Sequence, residues 1–323
     1  MKFTGKLLTV GLVAGGALGA LAVTNKIIAS RAGVLDTVLP GEEGRFGWKY
    51  GDVFYKVKGS REAKPLLFVH GFGPGKSSHE WRKNFETLAE QFRVYAIDLL
   101  GYGMSDRPVI DYTAETYVDL IGDFIREVID KPTIVVAHGL ACAYVIAGAY
   151  RRPQLFERLV LVAPPTTMLQ ETTPGPFNAL RKFVLRSPIF GRFIYNLLTT
   201  RSAIRAFYRR RGYYNAGLIT DQLVENALAS AHQPHSRFPE ASRFSRYLNL
   251  DVHEDLARLQ QRVVGVWGRE GMAMHPEAAE VFRRVKPGME IRILDSCDQL
   301  PQDEQAGQFN NLIREFAGQP VMQ

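Results

Sequence analysis

Apolar residues in this chain fall in short unbroken runs separated by turn-forming residues. The clearest case is residues 133–150, TIVVAHGLACAYVIAGAY. An apolar run meets a tight glycine-containing turn and continues as an Ala-rich amphipathic stretch. This pattern predicts a buried strand feeding directly into a helix. Residues 66–73, LLFVHGFG, predict a second buried strand that ends in His-Gly with another glycine close behind. Further apolar blocks begin RVYAI at 93, RLVLV at 158, VVGVW at 263 and EIRIL at 290.

The residues following these blocks carry chemistry. Residues 98–108, DLLGYGMSDRP, match the pattern D-x-x-G-x-G-x-S-x-x-P; residues 267–277 read WGREGMAMHPE, and 297–304 read CDQLPQDE. Taken in order over about residues 44–317, the chain resembles the α/β-hydrolase superfamily, in the group holding esterases, epoxide hydrolases and haloalkane dehalogenases. The resemblance implies an α/β fold: a mostly parallel eight-stranded sheet, helices on both faces and an inserted helical cap. It makes the blocks at 66, 93, 133, 158, 263 and 290 the third to eighth strands. It places the core at 36–165 and 256–323, the cap at 166–255, and an N-terminal segment and linker at 1–35.

The same resemblance locates a catalytic triad, and this chain departs from it at each member. The turn after the fifth strand reads G-x-S-x-G in the family, with the serine at a sharp bend. Here it reads Ala137-His138-Gly139-Leu140-Ala141, so Gly139 holds the nucleophile position. The acid loop reads roughly W-G-x-x-D, which puts Gly271 at the aspartate. The histidine loop reads roughly C-G-H-x-P-x-x-E, which puts Gln299 at the base. Glycine supplies no nucleophile, and a glutamine amide does no general-base work near neutral pH. A glycine at 139 also relieves backbone strain that a side-chain-bearing residue would carry there.

No serine occurs between Ser105 and Ser187, so any nucleophile must be a substitute group. Cys142, inside the helix, reads as a small buried hydrophobe. His138, beside the elbow, reads as a packing residue, and His70 as a residue that positions backbone. Asp98 ends a strand and is expected to bond loop amides. Glu270 and His275 flank the acid position and read as solvated loop residues. Asp298 and Asp303 are expected at the surface. His138, Cys142, His275 and Asp98 stand as fallback catalytic candidates. The oxyanion loop, Gly71-Phe72-Gly73, and Leu140 remain as ligand-binding candidates. Their donors are the backbone amides of Phe72 and Leu140, which side-chain changes do not remove.

Composition narrows the picture. Two cysteines, Cys142 and Cys297, exclude a disulfide framework and leave at most one bridge. No metal-ligand spacing or dinucleotide fingerprint is present, so no metal or cofactor is expected. No nucleic-acid module is visible. Residues 7–23, LLTVGLVAGGALGALAV, carry no charge. They read as an uncleaved membrane anchor, with a cleaved signal peptide and secretion as the alternative. From Thr172 to Thr220 there is no Asp or Glu, but there are nine Lys and Arg interleaved with aromatic residues, against a net charge of +7 for the whole chain. Such a cap suits an anionic membrane surface; the competing reading is an ordinary cap core with a solvated basic face.

Two functions follow. One is a membrane-associated protein of this fold without hydrolase chemistry, a pseudoenzyme binding an apolar or carbonyl-bearing small molecule or a protein partner. The other is a working ester or epoxide hydrolase, or a lyase-like enzyme, that uses a non-standard catalytic group. A variant drifted or engineered from an active esterase is a third.

Overall fold

The structure is a computed structural model describing residues 39–271 and 277–319, with scattered positions between 19 and 36. Most of the 7–23 run and His275 lie outside the described residues. Among the described residues no helix is long and apolar enough to cross a membrane.

Eight strands form one sheet: β1 (Glu42–Trp48), β2 (Gly51–Lys58), β3 (Pro65–Val69), β4 (Arg93–Ile97), β5 (Thr133–His138), β6 (Phe156–Val162), β7 (Arg262–Gly268) and β8 (Glu290–Leu294). Their order is β1-β2-β4-β3-β5-β6-β7-β8. β1 and β2 run antiparallel; all pairs from β4 to β8 are parallel. The central strands are buried end to end, as in β3 and β5. That explains their unbroken apolar runs: a parallel sheet covered on both faces offers no solvent side for a polar alternation.

The main helices are α1 (Phe85–Leu88), α2 (Ala114–Phe124), α3 (Ala141–Arg151), α4 (Pro176–Arg186), α5 (Phe190–Leu198), α6 (Arg201–Arg211), α7 (Asp221–Ala231), α8 (Arg237–Phe244), α9 (His253–Arg258), α10 (Ala278–Val285), α11 (Pro301–Glu304) and α12 (Ala306–Ala317). Two apolar cores lie on opposite faces of the sheet. One packs α2 and α3 under side chains such as Leu67, Val69 and Leu161; the other packs Trp81, Phe309 and Ile313 against Leu66, Phe68 and Val136. The alternation of β3 residues between the two cores is the two-residue period of a strand. α3 is almost wholly buried because its Ala and Gly residues let it lie close to the sheet. α2 is started by Thr113, whose side chain and that of Thr116 form a reciprocal capping box.

β6 and β7 are joined by a helical excursion containing α4 to α9. It has its own small apolar cluster around Ile204, Tyr208, Tyr213, Leu223 and Val224, which also includes Leu300 from the loop before α11.

Candidate functional site

The parallel strands deliver their C-terminal ends to one edge, where ligands of open α/β sheets bind. β5 turns there into α3 through Gly139, whose φ is +59°. This left-handed conformation costs a residue with a Cβ about 1–2 kcal/mol. A Cβ at 139 would meet nothing within 4 Å, so the position opens into free space. That space is a cavity of about 260 Å3 lined by Gly71, Phe72, Lys76, His138, Gly139, Leu140, Pro165, Thr167, Phe207, Gly212, Arg243, Asn249, Gln299 and Leu300. Gly139 and Gln299 therefore meet at one cavity. Gly271 is not among its lining residues; its amide bonds back to Gly268 O at 3.3 Å.

Three side chains underlie the cavity. His70 accepts the Leu99 amide on Nε2 at 3.0 Å and donates from Nδ1 to Gly71 O at 2.7 Å. It is fully buried, and burial lowers its pKa despite the neighbouring Asp98. Asp98 accepts the Ser78 amide at 2.6 Å and the Met104 amide at 2.7 Å. It wraps so closely around Gly103 (φ +50°) that a Cβ there would strike its carboxylate, which accounts for the glycine of the D-x-x-G-x-G run. Phe72 is held edge-on by Tyr102, Tyr117 and Tyr144, at ring-centroid distances of 5.3, 4.8 and 5.3 Å. The Phe72 and Leu140 amides have no acceptor among the described residues.

Behind the elbow lies a relay of charged groups that the sequence pattern did not single out. Lys76 Nζ is 2.5 Å from Glu80 Oε2, and Glu80 Oε1 is 2.7 Å from His138 Nδ1. The latter is a close approach that is not aligned as a hydrogen bond. His138 Nε2 faces Gln299 O at 3.1 Å. Burial opposes the Glu80 charge, but His138 and Lys76 outweigh it and hold its carboxyl well below the usual carboxylate range. Burial likewise works against the Lys76 ammonium, and Glu80 overcomes it, raising the lysine. Both His138 nitrogens thus face acceptor oxygens, one on each neighbouring loop. The ring links the elbow to the loop bearing Gln299.

The other candidates sit as follows. Cys142 is fully buried; its thiol lies 3.2 Å from Ala137 O, and burial pushes its pKa far up. Cys297 is also buried, its thiol pushed up to about 12 by burial and nearby carboxylates. Both cysteines are free thiols, so the bridge left open by the sequence is not formed. Glu270, expected to be solvated, is half-buried and accepts the Cys297 amide at 2.9 Å. Asp298 and Asp303, expected at the surface, are buried. Asp303 is drawn inward by Arg82 at 2.5 Å, by Lys83 at 2.7 Å and by the Tyr213 hydroxyl. Burial opposes its charge, yet these donors bring its pKa below the ordinary value. Among the described residues no cluster of His, Cys, Asp or Glu could hold a metal ion.

The cavity wall contains polar residues absent from the motif reading: Lys76, Thr167, Arg243 and Asn249. Arg243 Nε bonds Glu240 at 2.7 Å, and Glu240 accepts the Tyr102 hydroxyl at 2.8 Å. The four-residue spacing of Lys76 and Glu80, just past the His-Gly-Phe-Gly loop, is the one sequence signal that could have found the relay. The cap residues carry no such signal.

Residues 66–312 match the alpha/beta hydrolase family, and the chain belongs to that family. Among curated proteins it is similar to an uncharacterized protein of Mycobacterium tuberculosis, 24% identical over 81% of this chain and 77% of that one. It is also similar to the 2-hydroxy-6-oxononadienedioate/2-hydroxy-6-oxononatrienedioate hydrolase of Escherichia coli, 24% identical over 79% of this chain and 87% of that one. Among solved structures it resembles the meta-cleavage product hydrolase CumD of Pseudomonas fluorescens, with a TM-score of 0.69 and 21% identity over 85% of this chain and 97% of that one. The protein is therefore an α/β-hydrolase-fold protein with hydrolase relatives.

Proposed function

We propose that this protein binds a small carbonyl- or carboxylate-bearing apolar molecule without hydrolysing it, and that residues 7–23 hold it at a membrane. One observation carries the first part: the elbow cavity is lined by Gly139 and Gln299, while the histidine beside them has an acceptor oxygen close to each ring nitrogen. Thr167, the lining hydroxyl, has no base bonded to it among the described residues, and the Lys76 ammonium is held by Glu80. An acyl transfer needs an activated nucleophile and a base to relay its proton. Neither role has an occupant in the described wall. What the wall retains is the Phe72 and Leu140 amides, without acceptors among the described residues, and the Lys76 and Arg243 side chains, a set suited to an oxyanion or carboxylate. The uncharged 7–23 run supports the anchor.

Two measurements test the binding reading. A medium-chain carboxylate should raise the melting temperature, because a ligand that binds only the folded state stabilises it. Thr167→Trp, which fills the cavity from its wall, should abolish the rise. The matching p-nitrophenyl ester should be released no faster than in buffer. Turnover of that ester by the wild-type protein would instead favour the hydrolase chemistry of its relatives.

A further inference from the structure

The cap carries an apolar face that nothing in the described structure covers. α4 has no buried residue at all. Phe177, Leu180 and Phe183 follow at three-residue spacing, so they share one side of the helix. They are 73%, 59% and 74% exposed. Phe190, at the start of α5, is 53% exposed. A run of large apolar side chains this open is unusual on a soluble monomer and marks a contact surface.

Two further observations choose the contact. The first is charge. Lys182 and Arg186 pair with Asp111, Arg201 with Glu225 and Arg205 with Asp221. Arg192, Arg209, Arg210 and Arg211 are exposed and have no acidic partner among the described residues. The second is the chain that precedes the fold. Buried Asn25 donates to Ile189 O at 3.2 Å and accepts from Asn196 at 2.8 Å. This fastens the end of the N-terminal apolar segment to α5, next to Phe190. The cap thus carries exposed apolar residues and unpaired arginines, and its α5 holds the chain that follows an uncharged run. Apolar side chains and arginines on one cap fit the boundary between acyl chains and anionic headgroups.

We propose that the outer face of α4 and the start of α5 seats in the headgroup region of an anionic lipid bilayer, with Phe177, Leu180, Phe183 and Phe190 inserted and the unpaired arginines on the phosphates. Phe207, half-exposed on α6, lines the elbow cavity and lies between Arg205 and the arginines at 209–211. The helix that carries the arginine cluster therefore also contributes to the cavity wall. The seating of the face stands apart from the binding role of the cavity, because it uses none of the floor residues.

Both native cysteines are buried and free, so a single introduced surface cysteine can be labelled cleanly. The full chain carrying Phe183→Cys with an environment-sensitive dye is mixed with vesicles of phosphatidylserine and phosphatidylcholine, and with phosphatidylcholine alone. Leu180→Cys repeats the measurement on the same face. Glu90→Cys, just before β4 and so at the opposite end of the strands, is the control. The dye at 183 and 180 should shift to the blue with the anionic vesicles only, and the control should not move. The shift should fall in about 1 M salt, where the Debye length is about 3 Å, and when Arg209, Arg210 and Arg211 are changed to Glu. Three results overturn the proposal. A blue-shifted dye before any vesicle is added would mean that the chain's own N-terminal run covers the face. Unshifted dye on protein that sediments with vesicles would leave the anchor in place and assign the face to a protein partner. An equal shift on neutral vesicles would remove the role of the arginines.

Discussion

At the cavity floor the carboxylates are buried and engaged: Glu80 with Lys76 and His138, Glu240 with Arg243. On the cap, Arg192 and Arg209 to Arg211 stand exposed without acidic partners among the described residues, and Phe177 and Phe183 are exposed too. A buried charge must be compensated within the fold or the fold fails. An exposed charge needs no partner and remains available to something outside the chain. The floor therefore holds the site together, and the cap surface presents it.

That contrast can be broken by substitution. Glu80→Ala should have the largest effect. It leaves Lys76 buried and unpaired and deprives His138 of its carboxylate, a kind of loss that typically costs about 3–5 kcal/mol. Denaturant unfolding checks it; a cost under about 1 kcal/mol would mean the relay is no tighter than a surface ion pair.

Acid should weaken the fold in two stages. Burial, with Arg82 adding to it, lowers His79 to about 4. Between roughly pH 6.5 and that value the unfolded chain takes up a proton that the folded chain refuses, so stability falls as pH falls through this window, by up to about 3 kcal/mol. Glu80, also lowered, adds a loss that begins near its unfolded pKa of about 4.3 and continues as pH falls further. His79→Gln should flatten the upper part of the curve and leave the lower part. Melting temperature against pH measures both.

Gly139→Ser should cost about 1–2 kcal/mol through its positive φ, with no clash, because the space above it is open. It should not create an esterase, since position 299 still carries glutamine. Changing Arg209, Arg210 and Arg211 to Glu should move stability least, within about 0.5 kcal/mol, while weakening attachment to anionic vesicles.

How much of this was legible in the sequence differs between the two regions in the same way. The strands and the elbow were legible because local pattern dictates them: an apolar run, then a glycine that needs a positive φ. The positions of Gly139 and Gln299 at one cavity followed from motif order. The Glu80–His138 pairing was not legible, because it joins residues on separate loops that only the folded sheet brings together. Asp303 looked like a surface residue for the same reason; its partners Arg82, Lys83 and Tyr213 are distant in sequence. In the cap the basic and aromatic composition was plain, but composition does not say which aromatics turn inward. Tyr195, Tyr208 and Tyr213 do, while Phe177 and Phe183 do not. The docking of Asn25 on α5 had no local signal.

The central claim is that the elbow cavity binds without forming a covalent acyl-type intermediate. Intact-mass analysis after incubation with a fluorophosphonate tests it most directly. The account predicts the unmodified mass for the wild-type chain under conditions that fully label an active serine hydrolase. A stoichiometric adduct mapping to the cavity wall, on Thr167, His138 or Lys76, would contradict it.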